Sequence, residues 1–382
     1  MTLSHSPHEF WMPEKGLEDP CFRGVLDFWF HRNLNVFDNS NPKEILELTR
    51  KLNIQSVIYR LLRKRGISLA NGHETFQILR KEALQIAGAC AYRHHTIEML
   101  SNRFDRAGIK PIWIKGPSLA CTVYPHSDWR TYKDFDLLIA PDDWNVAVQV
   151  MEDHGYSSTT CLNWGFFSFE KSFRALDDIP ESVDVELHCR LSNRARLCVF
   201  SFDELTEDAS DASSLSFPFL IPHPVKHFIF VCLHRIGHHP HDRRFTWLMD
   251  MMYLVNQFSD NDWEKVIEYS KSKKVSKIIL QSLIEIKEIF PVTIPDDVMN
   301  GLKKQSVSQL EPSEMFLTMY RSKWTDLWIR WWEMPGASKK IKYLLHWTIP
   351  PDKYMEEFFG KKPFLVQHKD RIVKALKKYF WK

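Results

Sequence analysis

Residues 110–139, KPIWIKGPSLACTVYPHSDWRTYKDFDLLI, decide how the chain is read. Pro111-Ile112-Trp113-Ile114 is a short apolar run closed by Lys115-Gly116, the pattern of a buried strand. Pro117 to Tyr124 suits a short helix with proline in its first turn. Asp134-Phe135-Asp136-Leu137-Leu138-Ile139 is a second strand, stopped by Pro141. Alternate residues of a strand share a face, so Asp134 and Asp136 point one way and Phe135 and Leu137 the other.

Working outward, the upstream sequence is helical. Pro42 to Lys64 reads as one or two amphipathic helices. Phe76, Leu79, Ala83, Ile86, Cys90, Ile97, Leu100 and Phe104 recur on one face of a long helix ended by Gly108. Downstream, Asp142 to His154 is a helix closed by Gly155, and Phe166–Arg174 and Val183–Leu191 are strands. Residues 203–214 are acidic and small, and read as a solvated loop. From Pro224 the patterns are helical again, and the stripe Trp324, Trp328, Trp331, Trp332 reads as packing. The expected architecture is α+β. A helical region (1–108) precedes a small mixed-sheet core (109–200), an acidic linker (201–222) and a C-terminal helical domain (223–382).

Composition narrows the function classes. The 382 residues are 44% hydrophobic and 26% charged, which describes a folded chain with room for two or three domains. A net charge of +3 excludes a generally basic nucleic-acid binder. The charge is uneven: residues 361–382 hold 8 Lys and Arg against one Asp. Lys369, Arg371, Lys374, Lys377 and Lys378 surround Ile372, Val373, Leu376 and Phe380, an amphipathic basic helix suited either to solvent or to an anionic partner. No apolar run is long enough to span a bilayer and the first residues carry no leader pattern, so a cytoplasmic protein is expected. Seven widely spaced cysteines without a Cys-x-x-Cys read as reduced thiols.

The chemistry gathers around Asp134 and Asp136. Two carboxylates about 4 Å apart repel by about 4 kcal/mol at an effective dielectric near 20, and such a pair calls for a proton, a cation or a metal. Hard divalent cations take oxygen ligands, and Mg²⁺ commonly bridges one or two carboxylates and substrate phosphates. Upstream, Lys115-Gly116 leaves a strand and enters a helix, where free N–H groups favour phosphate. Downstream, Asp184-Val185-Glu186-Leu187-His188 is another strand with alternating acids, able to add a third carboxylate. Two acidic strand pairs and a glycine turn point to metal-assisted phosphoryl or nucleotidyl chemistry. The cluster His234, His238, His239, His241, interrupted by Gly237 and Pro240 and followed by Arg243 and Arg244, reads as a polar helix end or a phosphate-facing patch rather than a zinc site.

Taken together, Ile114-Lys115-Gly116, Tyr124-Pro125, Arg130-x-x-x-Asp134-Phe135-Asp136-Leu137-Leu138-Ile139 and Glu186-Leu187-His188 resemble a bacterial family of uncharacterised nucleotidyltransferases within the polymerase-beta-like superfamily. His234 and Trp247-Leu248-Met249-Asp250 are similar to later family features, and the resemblance spans about residues 109–255. It implies an enzyme moving a nucleoside monophosphate from an NTP to an acceptor with Mg²⁺ or Mn²⁺. Carried over, Asp134, Asp136 and Glu186 are the catalytic metal ligands. Lys115, Gly116, Ser118 and Arg130 bind the nucleotide, with Arg130 either touching phosphate or orienting the aspartates; His188 supports Glu186, and Asp184 is a supporting acid and the rival to Glu186 as third ligand. Asp250, in an apolar helical segment, is expected to partner a helix or an arginine. The chain departs from the superfamily in Pro117 after Gly116, with Ser118 one place late. A long Gly116-to-Asp134 spacing and Cys189 after Leu-His are further departures. The acceptor is a small molecule, peptide, protein or RNA. The competing readings are a catalytically silent, antitoxin-like nucleotide-binding module and an RNA-directed transferase.

Overall fold

The computed structural model describes residues 18–31, 41–65, 73–159, 169–175, 183–238, 244–308, 311–318, 328–329, 331–332, 334, 336–350 and 352–380. The architecture is α+β, with one mixed sheet flanked by helical N- and C-terminal regions. The N-terminal helices are α1 (Pro20–Leu26), α2 (Pro42–Leu52), α3 (Gln55–Lys64) and α4 (His73–Arg106). Asn53, left-handed at φ 59°, divides the Pro42–Lys64 stretch into two helices. The central segment carries β1 (Ile112–Ile114), α5 (Lys115–Thr122), β2 (Asp134–Leu138), α6 (Trp144–Asp153), β3 (Tyr156–Ser158), β4 (Glu170–Ala175) and β5 (Asp184–His188). Then follow α7 (Phe202–Thr206), β6 (Ser210–Asp211) and β7 (Leu220–Ile221). The C-terminal helices are α8 (Pro224–His238), α9 (Phe245–Val255), α10 (Asp260–Ser272), α11 (Ser276–Ile289), α12 (Asp296–Ser308), α13 (Met315–Thr318), α14 (Ala337–Thr348), α15 (Asp352–Phe359) and α16 (Phe364–Phe380).

The sheet order is β3-β4-β5-β2-β1-β7-β6. At its centre β2 runs antiparallel to β1 and parallel to β5, with Ile114 opposite Asp136 and Asp136 opposite Glu186. Segment 203–214, expected as a solvated loop, instead carries most of α7, capped reciprocally by Ser201 and Glu204, and the strand β6. Strand β7 then pairs parallel to β1 through Ile112 and Leu220, so the sheet reaches beyond residue 200. Phe169, within the expected Phe166–Arg174 strand, precedes β4, while residues 166–168 lie outside the described residues.

Two cores sandwich the sheet. On one face Trp113, Phe135, Leu137, Val185 and Leu187 pack under Ile97, Leu100 and Phe104 of α4 and Trp144 and Met151 of α6. On the other, Ile112, Ile114 and Leu138 join a larger core built from α1–α3 and α8–α12. The Phe22 ring of α1 meets Phe245 of α9 edge-on at 5.8 Å, so the N- and C-terminal helices share one interior. The alternation read from the sequence therefore decides which face is oily throughout and which carries carboxylates beyond its apolar end. The tryptophan stripe differs from expectation. Trp328 and Trp332 are exposed and stack on one another, with the Lys340 ammonium over the rings of Trp331 and Trp332; Trp324 lies outside the described residues. Six of the seven cysteines are free thiols, and Cys161 lies outside the described residues.

Candidate active site

The acidic face of β2 and β5 forms the centre of the site. Asp136 is almost fully buried, and its Oδ1 receives two hydrogen bonds. One comes from Lys115 Nζ at 2.6 Å and the other from His188 Nε2 at 2.9 Å. The Glu186 Oε2 lies 3.5 Å from the same His188 nitrogen, and Glu170 Oε2 lies 3.7 Å from His188 Nδ1. Burial opposes the imidazolium, but hydrogen bonds to Asp136 and Glu186 outweigh it and lift the His188 pKa to about 9. Burial likewise opposes the Asp136 carboxylate, and Lys115 and His188 outweigh it, holding its pKa at about 2. At neutral pH this is an ionised carboxylate between two cations.

Asp134 stands apart from that arrangement. It lies two residues before Asp136 on the same strand face, and its carboxylate forms no hydrogen bond or ion pair among the described residues. Burial first, and then the charges of Asp136 and Glu186, raise its pKa to about 6. Its register partner on β5 is Asp184, which is held instead by the solvent-exposed Arg174 fork at 2.8 and 2.7 Å. Ligand atoms of Asp136, Glu186 and His188 all lie within 4.8 Å of one another. Protonated His188 has no lone pair to offer, so the Asp136 and Glu186 carboxylates are the groups that suit a hard divalent cation, and Asp134, whose carboxylate forms no ion pair among the described residues, adds negative charge beside them. His188 enters this cluster where the sequence pointed to Asp134, because the parallel register sets Glu186 opposite Asp136 and puts His188 two residues further along the same face.

Lys115 is the first residue of α5 and follows β1 directly. Its φ of 55° is left-handed, a conformation that costs a non-glycine residue of order 1 kcal/mol and persists only where neighbours enforce it. The enforcing contact is the Lys115 backbone N–H, which donates to Nε2 of the buried His227 at 3.2 Å. Burial first, and then Arg130, depress the His227 pKa to about 3, keeping the ring neutral and that nitrogen an acceptor. His227 carries no sequence signal, since a lone histidine on the apolar helix α8 reads as core.

The remaining expected nucleotide-binding residues have definite places. A Cβ on Gly116 would lie 2.6 Å from Tyr132 Cβ, so the close approach this glycine permits is to Tyr132. Ser118 is fully buried in α5, its Oγ without a hydrogen-bond partner among the described residues. Arg130 is buried and forks onto Asp250 of α9, with Nε to Oδ1 at 2.7 Å and Nη2 to Oδ2 at 2.9 Å. The Tyr124 hydroxyl donates to the same Asp250 Oδ1 at 2.6 Å. Asp250 is thus an arginine partner, as expected, and ties the loop before β2 to the C-terminal helices. His234 packs its ring 5.8 Å from both Phe230 and Trp247. The side chain of His238 and residues His239, His241 and Arg243 lie outside the described residues, while the Arg244 guanidinium sits over Trp247.

Among the described residues no helix is long and apolar enough to cross a membrane. The family model described as "Uncharacterised nucleotidyltransferase" matches residues 38–291, well over half of the chain. The match begins before α2, runs through the whole sheet and ends after α11. No curated protein matches the sequence.

Proposed function

The chain belongs to this family of uncharacterised nucleotidyltransferases, and from that premise we propose that it moves a nucleoside monophosphate from an NTP to an acceptor, releasing pyrophosphate. The observation that carries the reading is the acidic face shared by β2 and β5, with Asp136 and Glu186 in register and Asp134 beside them lacking a partner. In this reading Asp134, Asp136 and Glu186 hold a divalent cation, Mg²⁺ or Mn²⁺. When bound, that ion supplies Lewis-acid neutralisation of the triphosphate.

The protein's own groups have separable tasks. Lys115 sets a positive charge beside the carboxylates, where it attracts the triphosphate and stabilises charge building on the leaving pyrophosphate. Protonated His188 keeps Asp136 ionised across the physiological range. Glu186, less buried than Asp136, accepts the proton of the acceptor hydroxyl. The acceptor oxygen attacks the α-phosphorus, the bond from that phosphorus to the bridging α–β oxygen breaks, and the electron pair leaves on pyrophosphate. Arg130 acts through Asp250, fixing the loop that leads into β2, rather than on phosphate.

The test is to incubate the protein and Mg²⁺ with each NTP, radiolabelled at the α-phosphate, in a cell extract. The expected result is label on one acceptor fraction with stoichiometric pyrophosphate. Nucleotide binding by calorimetry without any pyrophosphate release would overturn the proposal in favour of a silent nucleotide-binding module.

A further inference from the structure

The two C-terminal helices α14 and α16 are turned with their apolar sides toward solvent. In α16, Leu365 is 80% exposed and Ile372 56%, while Gln367 on the opposite side is only 6% exposed and donates from Nε2 to the Gly360 carbonyl at 2.6 Å. Phe364, Val366 and Val373 are exposed with Leu365 and Ile372, and together they make one broad helical face. In α14, Ile341, Leu344 and Leu345 are exposed, continued by Ile349 after the helix, and Tyr343 faces inward. Arg371 Nη1 donates to the Thr348 carbonyl at 2.7 Å and joins the two elements. A surface helix normally buries its apolar stripe against the core, so two linked helices with the reverse orientation leave exposed apolar surface of the kind that marks an interaction site.

Charge identifies the partner. Residues 336–382 carry twelve Lys and Arg against four Asp and Glu. Lys339, Lys342 and Lys369 are exposed alongside the apolar residues, and Lys369 stands one turn after Leu365. A second copy of this chain would bring like charge against like. Nucleic acid is held through its phosphates and by base stacking, and neither gives the exposed Leu, Ile and Val side chains a place to bury. An apolar face rimmed by lysines, with long stems that let the ammonium groups reach upward, matches a bilayer surface rich in anionic headgroups. We propose that α14 and α16 dock this protein on an anionic phospholipid surface, lying in its plane with Ile341, Leu345, Leu365 and Ile372 in the acyl boundary.

The proposal is independent of the transfer chemistry, and its test does not read activity. The full chain is sedimented with vesicles of phosphatidylcholine alone and of phosphatidylcholine mixed with phosphatidylglycerol. Binding to the mixed vesicles only, weakened by added salt, is expected. Each of Lys339→Glu, Lys342→Glu and Lys369→Glu should weaken it about fivefold or more. Leu365→Asp with Ile372→Asp should abolish it while circular dichroism and Tm stay unchanged, since both side chains are already exposed. Three results would overturn the proposal. The first is equal or absent binding to both vesicle types. The second is a solution dimer dissolved by Leu365→Asp without vesicle binding. The third is salt-sensitive RNA binding without vesicle binding.

Discussion

Lys115 Nζ lies 2.6 Å from Asp136 Oδ1, and the residue that brings it there has a left-handed backbone at the end of β1. The β1–β2 register sets Ile114 opposite Asp136, so the next residue must turn sharply if its side chain is to return over the carboxylate. A strained lysine between a strand and a helix is thus the price of putting a fixed positive charge beside the acidic face.

Replacing that charge should damage turnover more than binding. Lys115→Met keeps the length of the side chain and removes the ammonium, leaving Asp136 with His188 alone. A fall in kcat of about 10²-fold is expected, the size seen when one fixed donor is removed from a site of developing charge. Steady-state pyrophosphate release checks it, and an unchanged kcat would assign Lys115 to structure alone.

The tether on Lys115 can be tested by coupling. His227→Gln retains an acceptor for the Lys115 N–H and should keep most of the activity, whereas His227→Phe fills the space without one. The Lys115→Met and His227→Phe effects should be strongly non-additive in a double-mutant cycle on kcat, because the second substitution acts through the first. Additive losses would mean that His227 acts elsewhere.

Asp134 predicts a trade between stability and function. Its pKa is about 6 in the folded chain against an ordinary 3.8, so between those values the folded state holds a proton that the unfolded state has released. Stability is therefore lost as pH rises through that window, and the deficit persists above it. Asp134→Asn removes the charge. The Tm of the variant without metal should exceed that of the parent above pH 6 and converge with it below pH 3.8. The same variant loses a proposed ligand and should bind Mn²⁺ at least about tenfold more weakly by calorimetry, the smallest loss expected even for an outer partner of a metal site. A lower Tm above pH 6 would contradict the assignment of Asp134 as uncompensated.

Arg130 and Asp250 should behave as one buried unit. Arg130→Ala leaves the buried Asp250 carboxylate with the Tyr124 hydroxyl but no guanidinium, and a loss of about 3–5 kcal/mol is expected in urea denaturation. The KM for NTP in the fraction that remains folded should change little. A large rise in KM with stability intact would return Arg130 to a phosphate-binding role.

Much of this was legible in the sequence, for identifiable reasons. Alternation within Asp134–Leu138 and Asp184–His188 separates carboxylates from core residues, and the structure buries Phe135, Leu137, Val185 and Leu187 on the opposite face. The helix from Phe76 to Phe104 was equally readable, since its apolar positions repeat and Gly108 closes it at φ 76°. Strands β6 and β7 were not, because each has two residues and their acidic, serine-rich surroundings resemble a loop. The pairing of Arg130 with Asp250 joins positions 120 residues apart, which no local pattern encodes. His227 was invisible for the same reason, since its partner is a backbone amide 112 residues away. The sequence points His188 to Glu186, two places away on its own strand, whereas its Nε2 lies nearer Asp136 of the neighbouring strand, at 2.9 Å against 3.5 Å.

The central claim is that the acidic face of β2 and β5 performs nucleotidyl transfer, and one comparison tests it most directly. The parent chain and the variant carrying Asp134→Ala and Asp136→Ala are given Mg²⁺, the acceptor fraction and an NTP labelled at the α-phosphate. Circular dichroism and Tm report whether the variant is folded. Loss of labelled acceptor and of pyrophosphate in a folded variant is the expected result. Undiminished transfer by the folded variant would contradict the account.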